Sequence, residues 1–147
     1  LRFCRQAAQQ GCHLEITNLV IPTLNDRPDL IRRLAVWIKT ELGDKTPLHL
    51  SAYHPDFECD LPPTTALLLA TAVAEARAEL PYVYAGNLPD LAAQDTVCPG
   101  CRSVLIRRRG YQVDGAGLQA GVCVTCGRPF DGQTKPGCKS SHAGVKT

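Results

Sequence analysis

Apolar and polar positions follow two alternating periods along the first 90 residues, and the period switches at glycines and prolines. The opening "LRFCRQAAQQG" reads as the end of a helix stopped by Gly11. "HLEITNLVI" reads as a strand, rich in β-branched and aliphatic residues and closed by Pro22. After the polar loop "PTLND", Asp26 is placed to cap a helix that has Pro28 in its first turn. That helix, "PDLIRRLAVWIKTEL", puts Leu30, Ile31, Leu34, Ala35, Ile38 and Leu42 on one face and ends at Gly43. Its charged residues fall largely on the other face, and Trp37 borders the apolar stripe as a packing residue. "PLHLSAY" is a second strand, followed by the proline-rich loop "HPDFECDLPP". Thr64 or Thr65 opens the apolar helix "ALLLATAVAEARAEL", whose alanines suit close packing on a sheet. "YVYAG" is a third strand, and "NLPDLAAQ" leads out.

Strand, helix, strand, helix, strand implies parallel strands joined by right-handed crossovers, and hence part of an α/β sheet or barrel. Three strands and two helices are too few to close a barrel. The chain also contains no methionine, so it is expected to be the C-terminal part of a longer one. In such folds ligands gather at the carboxyl ends of the strands. Those ends carry Asn25 and Asp26, then His54 and Asp56, then Asn87 and Asp90. His54, where a strand hands over to a loop, is the strongest of these, able to bond a ligand or shuttle a proton. Asp26 is more simply a helix cap, and His49, inside its strand, more simply structural. Glu15 and Thr17 share one strand face and would meet a ligand only if that face lined a barrel interior.

Composition narrows the class. At 44% hydrophobic and 20% charged the chain is globular, and no stretch is apolar enough to span a bilayer. The first dozen residues have no signal-peptide pattern, and a reducing, cytoplasmic location is expected. A net charge of +2 argues for neither membrane nor nucleic acid as a partner, and Arg107, Arg108 and Arg109 read as a solvated strand edge.

The eight cysteines change the picture most. Cys4, Cys12, Cys59 and Cys138 are scattered, but Cys98/Cys101 and Cys123/Cys126 form two CxxC pairs. A two-residue gap makes a strained disulfide and a good chelate, so metal is preferred to a secreted disulfide scaffold. Residues 102–122 are long enough for a β-hairpin that brings the second pair beside the first. Four thiolates leave no open coordination position, so the expected ion is a structural zinc, with iron in a rubredoxin-like site as its competitor. Cys138 sits in a Gly/Lys/Ser-rich tail that is expected to be disordered.

Several stretches in order, "LEITNLVIPTLND", "PLHLSAYHPDF", "YVYAGN" and "CPGC…RRRGYQV…GVCVTCG", make residues 12–130 resemble the C-terminal half of one radical SAM family. It is the group related to pyruvate formate-lyase activating enzyme that is encoded beside Memo-type and AMME-type proteins, the AmmeMemoRadiSam system enzymes. The resemblance implies the C-terminal part of a partial (β/α) barrel, taken over residues 1–95, and a small β-hairpin Cys4 zinc ribbon over 96–132; the tail over 133–147 lies outside it and is expected to be disordered from its composition. It implies an enzyme that cleaves S-adenosylmethionine reductively at a 4Fe–4S cluster, giving a 5′-deoxyadenosyl radical that acts on an unidentified protein or small molecule. Tyr53 and His54 match the Tyr-His pair that approaches S-adenosylmethionine in that family. Thr17 stands where the family carries an arginine, and Asn87 lies in a typical "GN" pair on the rim. The family's CxxxCxxC cluster motif is absent, so this chain by itself is expected to be inactive. The alternative is a free-standing zinc-ribbon binding module whose α/β part is a non-catalytic scaffold, with Arg107 to Arg109 available to a partner.

Overall fold

A computed structural model describes residues 1–88 and 92–132. Asp90 and the tail 133–147 with Cys138, all named above, lie outside the described residues. Helix α1 (Arg2–Gln9) leads through Gly11, at φ +74°, into strand β1 (Ile16–Val20). Helix α2 (Pro28–Glu41), strand β2 (Leu48–Ala52), helix α3 (Ala66–Arg77) and strand β3 (Val83–Gly86) follow. The three strands form one parallel sheet in the order β1-β2-β3, with Ile16 opposite Leu48 and Leu48 opposite Val83.

Period-two alternation in this register decides which face is covered. Val20, Leu48, Leu50, Ala52, Val83 and Ala85 point to one side and are buried beneath α2 and α3. From α2 that core receives Ile31, Ala35 and Ile38, and from α3 it receives Leu69, Ala72, Val73 and Ala76. Leu34 and Leu42 flank it, as the helical stripe predicts. The opposite face carries Thr17, Leu19, His49, Ser51, Tyr84 and Gly86, and Thr17 and Leu19 are exposed there. Among the described residues, α2 and α3 thus cover one side of the sheet.

Thr65 caps α3 by accepting from Leu68 N at 3.2 Å. Thr64 is instead buried and ties two strand ends together, donating to Val20 O at 2.5 Å and accepting from Tyr53 N at 2.9 Å. The cap expected from Asp26 is not made. Arg27 is the N-cap residue of α2, and the Asp26 carboxylate accepts from Thr23 N at 3.0 Å. Thr23 has φ +71°, so the chain turns earlier than the sequence suggests and uses the carboxylate to stabilise that turn. Asn25 is likewise occupied locally, accepting from Ile21 N and donating to Leu19 O.

Beyond a 3-10 turn at Ala92–Gln94, five short strands build the cysteine-rich part: β4 (Thr96–Val97), β5 (Val104–Arg109), β6 (Gln112–Asp114), β7 (Leu118–Gln119) and β8 (Val122–Cys123). β5 pairs antiparallel with β4 and β6, and β7 pairs with β8, so two hairpins stand between the cysteine pairs where the sequence suggested one. No helix among the described residues is long and apolar enough to cross a membrane.

Candidate metal centre and neighbouring cleft

The two cysteine pairs sit in equivalent turns. Arg102 N donates to Cys98 O and Gly127 N to Cys123 O, at 2.9 and 2.8 Å. Cys98 N donates in turn to Ser103 O, and Cys123 N to Arg128 O. The residue after each pair is left-handed, Arg102 at φ +64° and Gly127 at φ +72°. These turns bring the four thiols together, with all Sγ atoms within 4.8 Å of one another. Cys98 lies 3.6 Å from Cys126 and Cys101 lies 3.7 Å from Cys123. A tetrahedron with metal–sulfur bonds of about 2.3 Å has edges of about 3.8 Å, so the group fits zinc with little movement.

Ser103 adds a contact that the CxxC spacing does not announce. Its Oγ lies 3.0 Å from Cys101 Sγ and 3.4 Å from Cys123 Sγ. That hydroxyl is the main reason the Cys123 thiol is lowered to about 6, and it lowers Cys101 as well. Cys126 is moved the other way. The Arg128 backbone pulls its thiol down, but Cys101, burial, Cys98 and Cys123 together push it up to about 12. Without metal the quartet therefore shares protons unevenly, and a divalent cation would replace them. All seven described cysteines are free thiols, and Cys4, Cys12 and Cys59 join no ligand cluster among the described residues.

The basic run is not simply a solvated edge. Asp95, 8% exposed, accepts from Arg108 N at 2.8 Å and from Arg109 Nη1 at 3.1 Å, with Arg107 Nε 4.0 Å away. A buried carboxylate needs such compensation, and the run supplies it. Arg107 and Arg109 keep exposed side chains, whereas Arg108 is half-buried.

Of the four cofactor-contact residues expected, two meet at the carboxyl ends of the strands. His54 Nε2 lies 3.4 Å from Asn87 O, and Asn87 holds φ +61°. Tyr53 is buried, and its hydroxyl donates to Cys59 O at 2.8 Å. Interaction with Cys59, burial and the nearby Asp60 and Asp56 push its phenol up to about 12. Tyr53 thus closes the loop after β2. Thr17 is on the bare sheet face, paired in register with His49 and away from that rim.

A cleft of about 1060 Å³ opens between the bare face and the cysteine-rich part. Its wall includes Glu15, His49, Tyr84, Thr96 and Arg108. Glu15 bridges His13 and His49, at 3.1 and 2.8 Å, and those bonds, His13 foremost, hold its carboxyl below the ordinary value. His49 stacks on Tyr84 with ring centroids 5.2 Å apart. His49 thus has structural partners in Glu15 and Tyr84 and also lines this cleft. The missed signal was the polar or aromatic residue at the same outward position of every strand, namely Thr17, His49 and Tyr84.

In comparison with known proteins, the chain is 36% identical over 135 residues to the uncharacterized protein MJ0808 of Methanocaldococcus jannaschii. The match covers 89% of this chain and 40% of the archaeal protein, so the chain spans well under half of that relative. No family model matches the chain. No solved structure matches it either.

Proposed function

We propose that the four cysteines hold a structural zinc in a ribbon, and that the chain is the C-terminal portion of a radical SAM enzyme of the AmmeMemoRadiSam kind. The thiol separations of 3.6 and 3.7 Å support the metal. The enzyme reading draws support from the ordered motifs over residues 12–130 and from the form of the sheet. Three parallel strands with α2 and α3 on one side, and His49 and Tyr84 on the other, suit the wall of a partial (β/α) barrel. Additional strands would then pair with the edge of β1 that has no neighbour among the described residues. The archaeal relative has the length to provide them.

The family's 4Fe–4S cluster does not fit this chain's residues. CxxxCxxC is absent, and Cys4, Cys12 and Cys59 are not gathered. The cluster, and with it the cleavage of S-adenosylmethionine, belongs in this proposal to the remainder of the protein. His54 and Asn87 are the residues here best placed to touch the cofactor, because they meet at the strand ends. Anaerobic expression of the longer protein tests the reading: it should be brown and convert S-adenosylmethionine to 5′-deoxyadenosine and methionine. A reading frame without an upstream CxxxCxxC, or a reconstituted protein that yields no 5′-deoxyadenosine, overturns the enzyme assignment and leaves a zinc-ribbon binding module.

A further inference from the structure

Arg108 is held differently from its two neighbours in the basic run. Its Nη1 donates to Thr96 Oγ1 at 2.7 Å and to Gln94 O at 3.2 Å. The guanidinium lies 5.4 Å over the ring of Tyr84, the same ring that stacks with His49. Tyr84 is in turn fixed through its hydroxyl, 3.0 Å from Thr96 Oγ1. A guanidinium anchored through one nitrogen and one ring face has little rotamer freedom left to lose on binding. Its Nε and Nη2 make no hydrogen bond among the described residues, and the side chain borders the cleft.

The surrounding charges favour an anion at this end. Asp95 uses Oδ1 on the Arg108 backbone and the Arg109 side chain, and forms no ion pair with the Arg108 guanidinium among the described residues. Asp131 is paired with Lys45 and accepts from Tyr82. Glu15, bound between its histidines, and Asp44 are the other carboxylates on the wall, and they repel an anion from their own parts of the cleft. The cleft has the volume of a small-molecule site, with the stacked side chains of His49 and Tyr84 on its wall, Arg108 held at one end, and Lys45, the other lining cation, paired with Asp131.

We propose that this cleft binds a small organic anion, with its carboxylate or phosphate oxygens on Arg108 and its body along Tyr84 and His49. The inference rests on the cleft and is independent of the radical SAM reading. It is tested by nuclear magnetic resonance on the isotopically labelled, zinc-loaded chain, titrated separately with benzoate and with inorganic phosphate. Saturable shifts at Tyr84, Thr96 and Arg108 with either probe support the site, and the probe that saturates first identifies a carboxylate or a phosphate. Arg108→Lys keeps the charge but loses the fork, and should weaken that binding about tenfold or more while zinc content stays unchanged. If Arg108→Lys does not fold, His49→Ala, which leaves the Arg108 contacts in place, should weaken benzoate. The proposal is overturned if neither probe saturates in the millimolar range, if the shifts fall only on exposed lysines, or if a folded variant binds as the parent does.

Discussion

Ser103 places one hydroxyl between two of the four thiols, 3.0 Å from Cys101 and 3.4 Å from Cys123. Outer contacts of this kind orient ligands, and removing one typically lowers metal affinity by about 10- to 100-fold. Ser103→Ala should therefore weaken zinc binding by about tenfold, measured by competition with a chromophoric chelator, without changing stoichiometry. Arg102 and Gly127 offer a second single-residue test, since both are left-handed in equivalent turns. Gly127→Ala should destabilise the ribbon by about 1 kcal/mol, because only that turn has the residue suited to its backbone. Arg102→Gly should relieve strain and be neutral or stabilising in thermal unfolding. At this scale the cysteine quartet was legible, because CxxC spacing constrains geometry by itself. Ser103 was not, since nothing in a serine two residues after a cysteine reports where its hydroxyl points. Asp26 misled for a related reason: a carboxylate before a helix fits a cap or a preceding turn equally, and Thr23 decides between them.

Among elements, the parallel strands and their helices could be read from alternation and stripe, and their ends fell within a few residues of the turn signals. Of the six residues expected on the inner face of α2, Ile31, Ala35 and Ile38 are buried, Leu34 and Leu42 are partly buried against the core, and Leu30 is partly exposed. Ile38→Ala should cost about 2–5 kcal/mol in denaturant unfolding, the usual range for a truncation in a closed core. The second hairpin of the ribbon was not legible, since β7 and β8 have two residues each and carry no period. Gly117 precedes that hairpin and shows why its sequence matters. A Cβ there would sit 2.1 Å from Val104 O and 2.6 Å from Leu105 Cα, on the backbone of β5. Gly117→Ala should separate the hairpins and abolish metal binding, whereas Gly115→Ala, where nothing lies within 4 Å, should leave metal content unchanged. Metal analysis of the two variants side by side makes the comparison.

For the whole molecule, two apolar clusters of unequal strength sit side by side. The sheet and its helices bury a continuous aliphatic core, but the apolar cluster of the ribbon has, among the described residues, only Leu105, Cys98 and Cys123 fully buried. Two of those three belong to the cysteine quartet that could hold a metal, so on the proposed reading the ribbon would depend on its ion. Tyr82, Asp131 and Lys45 join the two parts, with Asp131 accepting from Tyr82 at 2.8 Å and from Lys45 at 2.6 Å. Burial raises the Asp131 carboxyl, but Lys45 and Tyr82 outweigh it and hold the carboxyl below its ordinary value. A depressed carboxyl stabilises the folded arrangement above its unfolded pKa, and that contribution disappears as pH falls through the folded one. Resonances of Tyr82 and Phe130 should thus report loosening only on strong acidification, and Lys45→Ala should move the change to higher pH. Neither this contact nor the cleft was legible in the sequence, because both bring residues of the sheet against residues of the cysteine-rich part, and no period or spacing reports how those two parts meet. The central claim is the structural Cys4 zinc, and X-ray absorption at the zinc edge of the purified chain tests it most directly. It should give one zinc per chain with four sulfur neighbours at about 2.3 Å. A first shell containing nitrogen or oxygen, or a chain that folds its ribbon without metal, would contradict it.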